Sequence, residues 1–251
     1  MTNRASTWVA FSVLSLITAS PAFSAPVPAT VELPKADASW ELKGDSDGVT
    51  VYSKEVPGTD VVAFRGERVV DAPIAKVASV LHDTSRKMEW VHKCAEAKNI
   101  REIGKFERIE YNATYSGFFL VRDRDFVFHA KAEMDRAKGQ MVFSLRSVED
   151  KNAPETDRVR GALENSRYIL TRAGDGSKTH VVVEILADPK GSVPKWLVNL
   201  FQKAWPSNTL NGIAEQAAKA DVKPIAEVEE FFKDAPAAAL PAVAGEKVAS
   251  K

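Results

Sequence analysis

The stretch RDFVFHAKAEMD, residues Arg124–Asp135, decides the fold because its apolar and polar side chains alternate. One face carries Phe126, Phe128, Ala130, Ala132 and Met134. The opposite face carries Asp125, His129, Lys131, Glu133 and Asp135. This period of two predicts an antiparallel strand with one buried and one solvated side.

The neighbouring segments repeat the alternation. In Glu107–Tyr115, one face holds Ile109, Tyr111, Ala113 and Tyr115. After a turn at Lys138-Gly139, Met141, Phe143 and Leu145 alternate again. Further strands are predicted at residues 48–54, 61–70, 167–171 and 179–187, with a short helix after Asp71, its predicted cap.

A long helix is predicted from Pro194, which suits a first helical position, to about Ala220. Strands that share an apolar face have to bury it, and this helix is the largest partner available to them. The sequence therefore predicts an α+β fold, in which a curved antiparallel sheet wraps around a long C-terminal helix.

The first 25 residues have the features of a secretory signal peptide. Arg4 is their only charge, Trp8–Ala19 is apolar, and Ala22 and Ser24 have the spacing of a cleavage site. A membrane anchor would need about 20 apolar residues, and serines and a threonine interrupt this shorter run. We expect an exported protein, and a bacterial periplasm fits best.

The rest of the chain is expected to form one domain. Residues 26–38 resemble a linker, 39–233 the folded domain, and 234–251 a disordered tail rich in Ala and Pro. The 34 basic and 34 acidic residues balance, which gives no electrostatic footprint for nucleic acid. The single cysteine, Cys94, cannot form an internal disulfide. We expect a monomer.

Five motifs follow one another in the order found in a known family. They are Trp40–Leu42 with Asp47–Tyr52, Arg65–Glu67 with Val70–Pro73, Arg86–Trp90, Arg124–Val127, and Asp188–Asn199. In this order the chain, from about Ser39 to Phe232, resembles the START (steroidogenic acute regulatory protein-related lipid transfer) domain. The resemblance implies a helix-grip fold that holds one lipid in a tunnel between sheet and helix, with Trp40–Leu42 in the family's opening helix.

Some sterol-binding members of that family pair an arginine on the strand that begins Arg124-Asp125-Phe126 with an acidic residue on a neighbouring strand. Counting along this chain, the arginine position falls at Ala130 and the acidic position near Tyr111. We therefore expect a more apolar, aromatic cavity, with tyrosine hydroxyls as its polar groups.

The predicted ligand-binding residues occupy inward strand or helix positions: Ile109, Tyr111, Tyr115, Arg124, Phe126, Phe128, Met134, Met141, Phe143, Leu145, Leu197, Leu200, Phe201 and Ala204. The same stripe could instead be filled core, as apolar stripes usually are. Arg124 could meet a ligand head group or form an ion pair with Asp123 or Glu110. Each tyrosine could bond a ligand or a backbone carbonyl.

A gate is predicted from Phe118, Phe119, Leu120, Trp196 and Trp205. The first three form an apolar loop beside Gly117, which either contacts membrane during loading or packs on the closing helix. Pro206 suggests a break, and so a hinged lid, because it removes one helix hydrogen bond.

Catalysis is not expected. The four histidines lack metal-ligand spacing, and no nucleophile elbow or phosphate loop occurs. We expect no cofactor and no metal. The leading interpretation is a lipid carrier with transient membrane contact; the alternative is an enzyme of the same superfamily, such as a polyketide or aromatic cyclase or hydrolase, with an acid/base pair in the tunnel.

Overall fold

The computed structural model describes residues 31–59, 61–117, 121–191 and 195–240. In chain order its elements are β1 (Glu41–Ser46), β2 (Val49–Glu55), β3 (Val62–Val70), α1 (Ile74–His82), a 3₁₀ helix (Thr84–Glu89), β4 (Cys94–Gly104), β5 (Glu107–Thr114), β6 (Arg124–Asp135), β7 (Gln140–Ser147), β8 (Val159–Arg160), β9 (Ala162–Leu163), β10 (Ser166–Ala173), β11 (Lys178–Ile185), β12 (Ala187–Asp188), α2 (Lys195–Ala218) and α3 (Ala226–Phe232).

One large sheet dominates the molecule, in the order β1-β2-β3-β11-β10-β7-β6-β5-β4. Neighbours along this path are antiparallel, β8 adds to β6 in parallel, and β9 pairs with β12 in a separate ribbon. The predicted α+β fold, a large antiparallel sheet with a long C-terminal helix, is confirmed. The alternation in Arg124–Asp135 corresponds to β6 over the same residues.

The helix α2 packs on one face of the sheet, called here the inner face. Gly66 of β3 lies close to this helix, since a Cβ there would lie 2.8 Å from Pro206 Cβ and 3.0 Å from Leu210 Cδ1. The α2 residues Leu210, Ile213 and Ala217 are buried with α1 and with the inner residues of β7, β10 and β11 in the main core. The predicted break at Pro206 is wrong, because α2 continues through it.

The N-terminal part of the domain differs from the sequence expectations. The segment that resembled an opening helix forms β1, an edge strand paired with β2. Asp71 does not cap α1; it accepts a hydrogen bond from Lys178 Nζ at 2.7 Å. Within the predicted linker, Val31 is buried and the Pro34 carbonyl accepts a bond from Arg65 Nη2 at 2.6 Å.

The C-terminal segment is also more ordered than predicted. The helix α3 was not foreseen, and its Val228 and Phe232 are buried in the main core. Beyond it, Ala238 N donates to Arg172 O at 2.8 Å, and Gly174 N donates to Ala238 O at 2.9 Å. The predicted disordered tail is therefore wrong for residues 235–240, while 241–251 lie outside the described residues.

Candidate functional site

A cavity of about 230 Å³ lies on the inner face of the sheet, beside the main core. Its apolar lining comes from β6, β7, β10 and β11, from the end of α1 and the segment after the 3₁₀ helix, from the β9–β12 ribbon and from α2: Leu81, Trp90, Val91, Phe126, Phe128, Ala130, Phe143, Leu145, Leu163, Tyr168, Val183, Ile185, Ala187 and Trp205. An apolar hollow with a few polar groups is the usual form of a small-molecule site.

The polar part of the lining centres on Glu110 of β5, which is fully buried. Its Oε1 accepts from Arg108 Nε at 2.5 Å and from Thr84 Oγ1 at 3.1 Å. Its Oε2 accepts from Lys87 Nζ. Lys87 Nζ also lies 5.4 Å from the centre of the Phe128 ring. We call Thr84, Lys87, Arg108 and Glu110 the Glu110 cluster.

The surroundings of the Glu110 cluster shift the pKa values of Glu110 and of Tyr168 in opposite directions. Burial opposes ionisation of Glu110, but the nearby charges of Lys87 and Arg108 outweigh it and lower the pKa of the carboxyl. Burial, with a contribution from the Glu110 charge, raises the pKa of Tyr168 far above its ordinary value. Tyr168 is therefore a neutral phenol beside an ionised glutamate.

The strand register explains why β5 brings charges to the cavity. Glu110 stands opposite Phe128 and Arg108 opposite Ala130, and residues opposite each other in an antiparallel pair share a face. The even-numbered side chains of β5, Arg108 to Thr114, therefore face inward. An arginine does occupy this layer of the cavity, on the strand beside Ala130, so its polar groups go beyond the tyrosine hydroxyls and Arg124 that the sequence indicated.

The odd-numbered side chains of β5 face away from the cavity, which corrects the prediction for Ile109 and Tyr111. Both are buried in a second cluster on the outer face, with Ala113, Val127 and Ala153. The segment after β7 covers this face, tied by the bond from Val148 N to Val127 O at 3.1 Å. The covering segment buries Ile109 and Tyr111 on the outer face. The sequence shows only that this face of β5 is apolar, which is why it was assigned to the cavity.

The other predicted ligand residues divide between cavity and core. Phe126, Phe128, Phe143, Leu145, Tyr115 and Arg124 line the cavity. Met141 is fully buried in the main core and Met134 packs against it, so neither lines the cavity. Ala204 is exposed. The side chains of Leu197, Leu200 and Phe201 lie outside the described residues.

Arg124 forms neither of the predicted ion pairs. Its Nε donates to Pro189 O at 3.2 Å, its Nη2 to Lys190 O at 3.2 Å, and its Nη1 to Arg122 O. Burial and the adjacent Arg122 lower the pKa of Arg124, and Asp123 opposes them. The guanidinium thus anchors the segment that leads into α2, at the edge of the cavity.

The predicted gate is only partly described. Phe118, Phe119, Leu120 and the side chain of Trp196 lie outside the described residues, whereas Trp205 lines the cavity. On either side of the undescribed loop, Tyr115, Ser116 and Val121 also line the cavity, and Tyr115 is 54% exposed.

Sequence reasoning missed the Glu110 cluster and Trp90. Trp90 is buried in the cavity wall, and its indole Nε1 has no hydrogen-bond partner in the described part of the chain. A signal existed for β5: one of its two alternating faces is strongly polar over eight residues, yet Arg108 and Glu110 on that face are buried. Thr84 and Lys87 carried no such signal, because only the fold brings the 3₁₀ helix to β5.

The described residues contain neither a membrane-spanning helix nor a cluster of metal-ligating side chains. No helix there is long and apolar enough to cross a membrane. No group of three or more histidine, cysteine, aspartate or glutamate side chains is placed to hold a metal ion within the described ranges.

Comparison with known proteins gives a consistent family. The family model described as START domain matches residues 33–214. Uncharacterized protein PA1579 of Pseudomonas aeruginosa is 31% identical over 183 residues, which cover 72% of this chain and 87% of that protein. Human mitochondrial steroidogenic acute regulatory protein is 32% identical over 165 residues, covering 64% of this chain and 57% of that protein, so the chain spans little more than half its length.

A solved structure shares the fold. The crystal structure of a STAR-related lipid transfer protein from Xanthomonas axonopodis (fragment 25–204) superposes with a TM-score of 0.64 at 25% identity. The match covers 72% of this chain and 99% of that one.

Proposed function

This chain belongs to the START domain family, and from that membership we propose that it binds the apolar part of one lipid in the cavity and carries it between membranes. The observation that supports this most directly is the cavity itself. It is walled by aromatic and aliphatic side chains, with the Glu110 cluster as a buried polar group for a head group. Relatives named for lipid transfer support carriage rather than storage.

The apolar wall supplies the driving force for binding. Each methylene that leaves water for such a wall contributes about 0.8 kcal/mol. The polar cluster then adds orientation, because a head group that cannot pair with it would leave buried charges unsatisfied. A lipid that fits both parts, whether sterol, phospholipid or fatty acid, would be held in one direction.

Exchange requires an opening, and we propose that it lies at the loop between β5 and β6. Tyr115, Ser116 and Val121, on both sides of that loop, line the cavity, and Tyr115 is exposed. Phe118, Phe119 and Leu120 give the loop the apolar character suited to brief membrane contact. Trp205 places α2 at the cavity wall, as a lid would require.

The place of action is proposed from the sequence alone. Residues 1–25 have the pattern of a cleavable signal, and the family match begins only at residue 33. We propose export to a bacterial periplasm, where a lipid carrier would cross the aqueous space between two membranes.

The enzyme alternative receives less support from the geometry. A general acid or base near neutral pH needs a pKa close to that of its medium. In this cavity the pKa of Glu110 is lowered and that of Tyr168 is raised, so both move away from neutrality. The cluster is suited to holding a polar group rather than to transferring protons.

Native mass spectrometry of the protein purified from its host, followed by lipid extraction, tests the carrier function. We expect one lipid per chain. Ala130→Phe, which places a ring in the cavity, should lose most of that adduct, while Ala137→Phe, in the exposed turn after β6, should keep it. A protein that stays empty and takes up no sterol, phospholipid or fatty acid would contradict the proposal.

A further inference from the structure

Positive side chains outnumber negative ones in the cavity lining. Among the described side chains that line it from the inner face, the cations include Lys87, Arg108 and Arg124, and the carboxylate is Glu110. Arg167 and Glu184 also border the cavity, but their side chains pair with each other on the outer face of the sheet. His92 also lines the cavity, but burial lowers its pKa, which favours the neutral imidazole. An apolar cavity with such a charge imbalance is unusual, because buried charges are normally compensated.

Both the cavity carboxylate Glu110 and Glu184 behind the cavity wall are already engaged by protein groups. Glu184 Oε1 accepts from Arg65 Nη1 at 2.5 Å, and its Oε2 accepts from Arg167 Nε at 2.6 Å. Both oxygens of Glu110 are engaged within the Glu110 cluster. The cluster itself holds two cations against one anion, so one positive charge remains without a local counterpart.

Hydrogen-bond donors are also in surplus at this place. Arg108 Nη1 makes no hydrogen bond within the described residues, and Lys87 uses one of its three N–H groups on Glu110. The indole Nε1 of the buried Trp90 has no acceptor in the described part of the chain. The Glu110 cluster thus offers N–H donors and positive charge, while both of its carboxylate oxygens are already used.

We infer that the lipid held in this cavity carries an anionic head group, a carboxylate or a phosphate, that binds Lys87 and Arg108 beside Glu110. This inference rests on the proposed lipid-binding function and names the chemistry of its ligand. An anion supplies both the missing charge and several acceptor atoms. A sterol or alcohol hydroxyl has one oxygen and no charge, so it leaves the imbalance in place.

Three ligands with the same twelve-carbon chain isolate the head group: laurate, dodecyl phosphate and 1-dodecanol. Their dissociation constants for the delipidated protein are measured by isothermal titration calorimetry, below the aggregation threshold of each ligand. We expect one or both anions to bind about tenfold or more tightly than dodecanol, the effect of one charge-assisted hydrogen bond. A preference for laurate indicates a fatty-acid carboxylate, and a preference for dodecyl phosphate indicates a phospholipid-type head group.

Variants test whether the Glu110 cluster causes that preference. Lys87→Met removes the surplus charge and should bring the ratio of the dodecanol to the anion dissociation constant close to one. Glu110→Gln removes the competing carboxylate and should raise the same ratio severalfold. Lys151→Met, at an exposed lysine that is not part of the cavity lining, should leave it unchanged.

The outcomes separate the two proposals. Dodecanol binding as tightly as both anions would overturn the anionic head group and leave lipid binding in place. A preference that survives Lys87→Met and does not grow in Glu110→Gln would also overturn it. If neither these ligands nor cholesterol binds, the lipid-binding function itself fails. Because the two variants change the ratio in opposite directions, the misfolding of one still leaves a decisive result from the other.

Discussion

Two buried ionic networks lie on opposite faces of the same sheet, and they differ in charge balance. On the outer face, Arg65 contacts Glu184 at 2.5 Å and Glu67 at 2.9 Å, and Arg167 also pairs with Glu184. Two arginines thus match two glutamates. On the inner face, the Glu110 cluster sets two cations against one carboxylate and borders the cavity.

This difference in charge balance indicates a structural role for the Arg65 network and supports the proposed binding role of the Glu110 cluster. The Arg65 network is complete, and the bond from Arg65 to the Pro34 carbonyl ties the N-terminal segment to β3. The Glu110 cluster keeps one positive charge in excess, which the proposed anionic head group would balance. Burial alone therefore does not identify a functional charge, since both Arg65 and Glu110 are 1% exposed or less. The two networks differ instead in their net charge and in whether they border the cavity.

Arg65→Met should produce the largest effect on stability. It leaves the largely buried Glu67 without its arginine, and Glu184 with Arg167 as its remaining partner. We expect this to lower the free energy of unfolding by about 3–5 kcal/mol. Urea denaturation measures it. Arg167→Met is the matched control, because its side chain is half exposed and its loss should cost less than about 1 kcal/mol. Equal losses in both variants would show that the Arg65 network is not a buried structural unit.

Glu110→Gln should have a smaller effect on the ligand-free protein, about 2 kcal/mol, because the amide keeps some hydrogen bonds while two cations lose their carboxylate. A saturating anionic ligand should restore much of this loss, since it supplies the missing negative charge. Thermal unfolding with and without laurate checks both parts. Restoration of Arg65→Met by laurate to the same extent would remove the distinction between the networks.

The next smaller effect is the loss, in acid, of the stability that the Glu110 cluster contributes. The folded-state pKa of Glu110 lies below its unfolded value of about 4.3, so its contribution is complete above that pH and is lost as the pH falls through the folded-state pKa. The stability advantage of the wild type over Glu110→Gln should therefore shrink on acidification. Urea midpoints of both proteins at neutral pH and at about pH 3 measure it. An advantage that is constant with pH would contradict an ionised Glu110.

Tyr52→Phe should give the smallest effect. Tyr52 donates its hydroxyl to Glu67 Oε1 at 2.9 Å, and losing that bond should cost about 1 kcal/mol without changing lipid affinity. Tyr115→Phe, at an exposed tyrosine, should cost less than about 0.5 kcal/mol. A change in lipid affinity for Tyr52→Phe would link the outer network to the cavity.

Local sequence was sufficient for most strands and for the long helix. The alternation of Arg124–Asp135 gave β6 in full, and Pro194 gave the start of α2 within one residue. It was insufficient where partners lie far away in the chain. The edge strand β1, the helix α3 and the docking of Ala238 on Arg172 depend on surfaces that the rest of the fold supplies.

The site shows the same division. The sequence determined that β5 has one apolar and one polar face, and that Phe126 and Phe128 share a side, because a strand alternates by geometry alone. Only the tertiary structure decided which face of β5 meets the cavity. The segment around Ala153 covers Ile109 and Tyr111 from outside, and the 3₁₀ helix brings Lys87 to Glu110 from inside. Alternation determines that the two faces differ, but the layers packed against them decide which face lines the cavity.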